Sequence, residues 1–130
     1  MDVLIDRCAG LDVHRDTVVA TVRRPGPGGA RSSQTRTFST MTGALEELAQ
    51  WLVSENVTLA GMESTGVYWK PVYYVLEERL SVWVINAEHL RNVPGRKADV
   101  ADSMWIAQLI EHGLVSPSFV PRVIFGCCEI

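Results

Sequence analysis

Three cysteines among 130 residues, two of them adjacent at Cys127 and Cys128 and the third alone at Cys8, do not make a disulfide framework. Zinc spacing is missing as well, because no C-x-x-C pair meets a second pair, so the thiols read as buried or incidental and the chain as cytoplasmic. No apolar run approaches the length of a membrane span. The start, Met1-Asp2-Val3-Leu4-Ile5-Asp6-Arg7, has acids on both sides of a very short apolar stretch, which is wrong for a signal peptide. Basic excess is also lacking: 12 Lys and Arg against 15 Asp and Glu leave a formal charge of −3. That balance argues against a domain that holds nucleic acid mainly by neutralising phosphates. A polyanionic partner would have to be met locally, or through metal ions.

What is present is enough apolar material, 47% of residues, for one compact domain with a core. The order of elements follows from its periodicity. Residues 9–13 and 17–22 are β-rich runs around the polar corner His14-Arg15-Asp16, a hairpin pattern, and the Pro/Gly run from Pro25 to Gly29 reads as the tip before a third short strand over 35–39. Leu45, Leu48, Ala49 and Leu52 then fall at helical spacing. Residues 57–62 read as a buried strand, 71–79 as a helix with Pro71 in its first turn, and 81–86 as another strand. A polar loop over 88–97 leads to a helix expected over 98–112 and stopped by Gly113. Strands alternating with helices in the second half imply parallel pairing through right-handed crossovers. The sum is an α/β fold, a mixed five-stranded sheet with flanking helices in the ribonuclease H-like order.

Four acids stand out by position. Asp12 lies inside an apolar strand, Glu63 immediately follows one, and Asp99 and Asp102 are three apart at the start of the last helix. A carboxylate in or just beyond a buried strand is costly unless paired, protonated or bound to a cation. The i, i+3 spacing puts Asp99 and Asp102 on one helical face, which Ile106 and Leu109 continue toward the core, so both carboxylates are expected to point at the sheet. Ligand sites in parallel sheets gather at the carboxyl ends of strands, where Glu63 falls. Each acid also has a plainer use: Asp99 as an N-cap, Asp102 as a first-turn acid, Glu63 as a cap or an ion-pair partner of Arg79 or Lys70, Asp12 on a solvated sheet face. Taken together at this element order, a site for Mg2+ or Mn2+ accounts for the four better than separate uses do.

Three blocks carry a resemblance: Gly10-Leu11-Asp12-Val13-His14, Glu63-Ser64-Thr65-Gly66-Val67-Tyr68-Trp69, and Lys97-Ala98-Asp99-Val100-Ala101-Asp102-Ser103. In this order they resemble the signature blocks of the insertion-sequence-110 family of DEDD transposases, whose catalytic domain is RuvC-like and related to the Piv DNA invertases. The resemblance implies a tetrad of Asp12, Glu63, Asp99 and Asp102 holding Mg2+ (or Mn2+) at a scissile DNA phosphate. It also implies a structured guide RNA and a homo-oligomer as partners, and no membrane. A serine nucleophile would belong to a second, carboxyl-terminal domain, so no serine here is assigned that role and Ser64 and Ser103 read as helix caps. On this reading residues 1–121 are the amino-terminal catalytic domain. Residues 122–130 resemble nothing in the family and are expected to be a divergent tail left by truncation or frameshift.

Arg15, Arg23, Arg24, Arg31 and Arg36 in the front hairpins, and Arg91, Arg96 and Lys97 before the last helix, form two basic groups that either contact phosphates or are solvated faces. His14 reads as a surface turn residue, and Tyr68 and Trp69 as core aromatics or base-stacking faces. Two other functions compete. One is a remnant that keeps the fold and binds nucleic acid or itself without catalysis. The other is a phosphotransferase of the actin and sugar-kinase type, which the absence of a glycine-rich turn after Asp12 disfavours.

Overall fold

In the computed structural model, residues 5–64, 66–86, 88, 90, 93 and 102–115 are described. The chain forms β1 (Cys8–Val13), β2 (Thr17–Pro25), a 3-10 turn (Pro27–Gly29), β3 (Arg31–Ser39), α1 (Thr42–Ser54), β4 (Leu59–Glu63), α2 (Trp69–Leu76), β5 (Ser81–Ile85) and α3 (Asp102–Glu111). The strands make one sheet in the order β3-β2-β1-β4-β5. β1, β2 and β3 are antiparallel neighbours, whereas β4 lies parallel to both β1 and β5. This is the mixed sheet expected from the element order.

Strand alternation divides the core between the two faces. Ala9 and Leu11 of β1 and Ala60 and Met62 of β4 pack with Leu45, Leu48 and Leu52 of α1 and Val72 and Leu76 of α2. On the opposite face, Cys8, Leu59 and Ile85 pack with Ile106, Leu109 and Ile110 of α3. Glycine lets α3 come close. A Cβ on Gly10 would stand 2.1 Å from the Ser103 carbonyl oxygen and 2.4 Å from the Ala107 nitrogen, and one on Gly61 would stand 2.3 Å from Ile110 Cδ1.

The bounds of β3 and α2 differ from the expectation. β3 begins at Arg31 rather than residue 35, because it pairs with β2 along its whole length, from Thr17–Ser39 to Pro25–Arg31. Most of its side chains are exposed on an edge strand, so they carry no apolar alternation to mark it. α2 ends at Leu76, and Arg79 lies beyond it. The described part of the last helix starts at Asp102 and stops before Gly113, whose φ of +70° allows Leu114 N–H to donate to the Leu109 carbonyl at 2.8 Å. The loop expected over 88–97 lies largely outside the described residues, as does the tail 122–130; Leu90 is buried. No helix among the described residues is long and apolar enough to cross a membrane.

Candidate active site

Leu11 of β1 and Met62 of β4 are opposite one another in the parallel ladder, and Asp12 and Glu63 are the next residue on each strand. Alternation sends both carboxylates to the face that carries α3, two residues past the glycines on which that helix rests. Both strands therefore repeat one pattern, glycine under the helix and an acid two residues on: Gly10-x-Asp12 and Gly61-x-Glu63. That matching spacing is a signal the sequence offered for pairing these two acids. Asp12 keeps 26% of its side chain open, and its Oδ2 lies 3.0 Å from Nε2 of the exposed His14. Glu63 is half-buried at the carboxyl end of β4.

α3 starts above this end of the sheet, with Asp102 in its first turn. Ser103 is buried, and its hydroxyl is 2.8 Å from that of buried Thr21, itself 2.8 Å from the Thr35 hydroxyl. The expected cap is thus a cross-link to the front hairpins. Asp102 itself is exposed rather than turned to the sheet. The stripe seated on the glycines is Ser103, Ile106, Ala107 and Ile110, so the residue before Ser103 is rotated away from it. Asp99 lies outside the described residues. The structure brings Asp12 and Glu63 together and sets Asp102 at the adjoining helix start. Among the described residues, no group of three or more His, Cys, Asp or Glu is gathered closely enough to hold a metal ion.

Of the front arginines, Arg23, Arg24 and Arg31 are held in ion pairs, while Arg15 and Arg36 stay exposed. Arg24 pairs with Glu55 at 3.1 Å, Arg15 with Asp16 at 3.5 Å, and Arg36 lies over the rings of Phe38 and Trp51. Arg23 and Arg31 both reach Glu111, which is fully buried at the end of α3. Arg79 pairs with Glu46, not Glu63. Arg91, Arg96 and Lys97 lie outside the described residues. Tyr68 is exposed, whereas Trp69 is half-buried with its Nε1–H donated to the Gly66 carbonyl at 3.1 Å. Sequence reasoning missed Glu111. Its signal was a charged residue four positions after Ala107, on the helix stripe that packs on the sheet. Close by, burial first and the Glu111 charge second push the Cys8 thiol up to about 12.

Residues 9–123 match the DEDD family of insertion-sequence-110 elements, described as "Transposase". The chain belongs to this transposase family. Its fold is that of RuvC: the Thermus thermophilus RuvC structure superposes with a TM-score of 0.56 over 86% of this chain and 99% of the other, at 13% identity. T. thermophilus RuvC in complex with a Holliday junction substrate gives 0.56 over 87% and 99%, at 11% identity. No curated protein matches the sequence. The ribonuclease H-like sheet of this transposase family member therefore carries Asp12 and Glu63 at neighbouring strand ends, two residues past the glycines on which α3 rests.

Proposed function

We propose that this chain is the metal-dependent catalytic domain of a DNA transposase, with Asp12, Glu63, Asp99 and Asp102 as the residues that hold one or more divalent cations at a DNA phosphate. The observation that carries the reading is the placement of Asp12 and Glu63 at adjacent positions of parallel strands, on one face and at the carboxyl ends. The donor chemistry fits: carboxylate oxygens without thiolates suit Mg2+ or Mn2+ rather than zinc. When bound there, such a cation supplies the positive charge that stabilises attacking and leaving oxygens in phosphoryl transfer.

The chain's own residues do the holding and aligning. β1 and β4, hydrogen-bonded to each other, fix the separation of Asp12 and Glu63, and His14 holds the Asp12 carboxylate from the solvent side. α3 brings Asp102 to the same end, and its packing on Gly10 and Gly61 sets how near it stands. Exposed Tyr68, five residues after Glu63, offers a ring face for an unpaired base. DNA is the proposed substrate, and the RuvC relative bound to a Holliday junction supports a branched form of it. A structured guide RNA and assembly with further copies are the remaining proposed partners. No serine in residues 9–123 is given the role of nucleophile.

Mn2+ titration of the chain tests the reading. Asp12→Ala and Glu63→Ala are each expected to weaken Mn2+ binding by at least about tenfold while the fold is retained. Unchanged titrations in both variants would overturn it. Salt-dependent binding of branched DNA with no cleavage in Mg2+ would favour the non-catalytic remnant instead.

A further inference from the structure

The chemistry that the proposed site leaves unused lies at the far end of α3. Glu111 is fully buried, its Oε1 accepting from Arg23 Nη2 at 3.1 Å and its Oε2 from Arg31 Nε at 2.5 Å. His112 Nε2 stands 3.3 Å from Oε1. Arg31 also donates to the Asp6 carbonyl, and Ile5 N–H donates to the Glu111 backbone carbonyl at 3.2 Å. Three segments distant in sequence, the amino-terminal approach to β1, the β2–β3 hairpin and α3, are thereby joined at one carboxylate.

Stability alone is a poor reason for such a cluster, because apolar side chains of similar volume often replace a buried ion group without loss. What a buried ion group supplies is direction and register. α3 needs both. Its floor presents no Cβ at Gly10 and Gly61, and apolar burial against Cys8, Leu59 and Ile85 is non-directional, so packing fixes how close α3 comes better than how far along the sheet it sits. Directional bonds along the helix supply the rest. The Ser103–Thr21–Thr35 hydroxyl chain lies beside Asp102, the Cys8 thiol donates to the Ala107 carbonyl in mid-helix, and the Glu111 cluster lies about 12 Å from Ser103 at 1.5 Å per helical residue, the strongest of these because it is charged.

We propose that Glu111, Arg23 and Arg31 are positioning residues of the transposase site: they set the axial position of α3 and so the place of Asp102 relative to Asp12 and Glu63. The inference rests on the metal reading of those acids. Its consequence is that cation affinity depends on an ion cluster at the opposite end of α3 from Asp102.

The test uses the full chain and Mn2+ alone, followed by electron paramagnetic resonance at a temperature where each variant is folded, with thermal unfolding recorded in parallel without metal. The triple variant Arg23→Met, Arg31→Leu, Glu111→Leu removes the charges together and is expected to unfold cooperatively yet bind Mn2+ about tenfold more weakly. Arg31→Lys keeps the charge and loses the fork to Glu111 and Asp6, so it serves should the triple variant not fold. Its Mn2+ affinity is expected to fall in the same direction by less. A merely structural cluster would change the unfolding temperature and leave the Mn2+ affinity of the folded protein alone. Wild-type affinity in the folded variants overturns the proposal. A wild-type chain that binds no Mn2+ is a different failure, since it overturns the metal reading on which this inference rests.

Discussion

At one end of α3 the Glu111 carboxylate is wholly buried and each of its oxygens meets a guanidinium, whereas at the other end Asp102 is exposed and Asp12, on the strand beneath, keeps 26% of its side chain open. The same functional group is neutralised within the protein in one place and left accessible in the other. Burial explains the division. A buried carboxylate needs its countercharge built in, while a carboxylate at a strand end open to solvent can exchange water for a cation. Mutations at the two ends should therefore differ in kind, those at the buried end acting on stability and reaching the cation only through the placement of α3, and those at the open end acting on ligand binding directly.

The largest stability effect is expected from Glu111→Ala. It leaves two guanidinium groups, only 15% and 20% exposed, facing each other without a countercharge. A loss of about 3–5 kcal/mol is expected by urea unfolding. A loss below about 1 kcal/mol would show that water reaches the arginines freely, and the contrast between the two ends would disappear.

Next in size is Gly10→Ala. Its new Cβ would stand 2.1 Å and 2.4 Å from backbone atoms of α3, so the helix itself must move, at a cost of about 1–3 kcal/mol. Gly43→Ala in α1 is the matched control, because nothing lies within 4 Å of the added carbon. That change should stabilise by up to about 1 kcal/mol. Opposite signs from one chemical change would establish that the helix–sheet contact, and not glycine content, sets the effect.

Cys8 links the buried end to pH. Its thiol, which donates to the Ala107 carbonyl at 3.4 Å, is raised from 9.0 to about 12, so between those values the unfolded chain releases a proton that the folded chain keeps. The unfolded state then binds fewer protons, and stability falls as pH rises through this window, by about 1.4 kcal/mol per unit from this residue. Below pH 9 its contribution is fully present. Urea unfolding of the chain and of Cys8→Ala at pH 8 and pH 10 should show a steeper decline in the parent. Parallel declines would mean the thiol ionises as readily in the folded state.

Much of this division could be read in advance, and the part that could not has a physical reason. Asp12 and Glu63 were legible because a carboxylate in an apolar strand is anomalous in the sequence itself. The helices were legible from Leu45, Leu48, Ala49 and Leu52 and from the stripe around Ile106. Glu111 was not, because its countercharges come from Arg23 and Arg31, some 80 residues away in sequence and joined only by the β2–β3 pairing. For the same reason Arg23, Arg24 and Arg31 read as phosphate contacts or a solvated face, although they pair with Glu111 and Glu55. Asp102 was misdirected by one residue. Its spacing to Ile106 and Leu109 suited the core, but the glycines of β1 and β4 admit the stripe that begins at Ser103 instead.

The smallest stability effect, and the sharpest separation of the two ends, is expected from Asp12→Asn. The substitution is isosteric and keeps an oxygen that can meet the His14 ring 3.0 Å away, while removing the charge beside Glu63 on the next strand. Two carboxylates at adjacent strand ends repel each other when no cation lies between them, so without metal the variant should match or exceed the parent by about 0.5 kcal/mol. With Mn2+ the order should reverse: the parent gains stability by mass action as the ion binds the folded state, whereas the variant gains little. Unfolding curves of both proteins with and without saturating Mn2+ supply all four values. If Asp12→Asn and the parent gain equally from Mn2+, the ion binds elsewhere and the open end of α3 is not its site. A reversal of order would mean that the charge on Asp12 serves cation binding at no benefit to the bare fold, the converse of the charge on Glu111, which the arginines at the other end require.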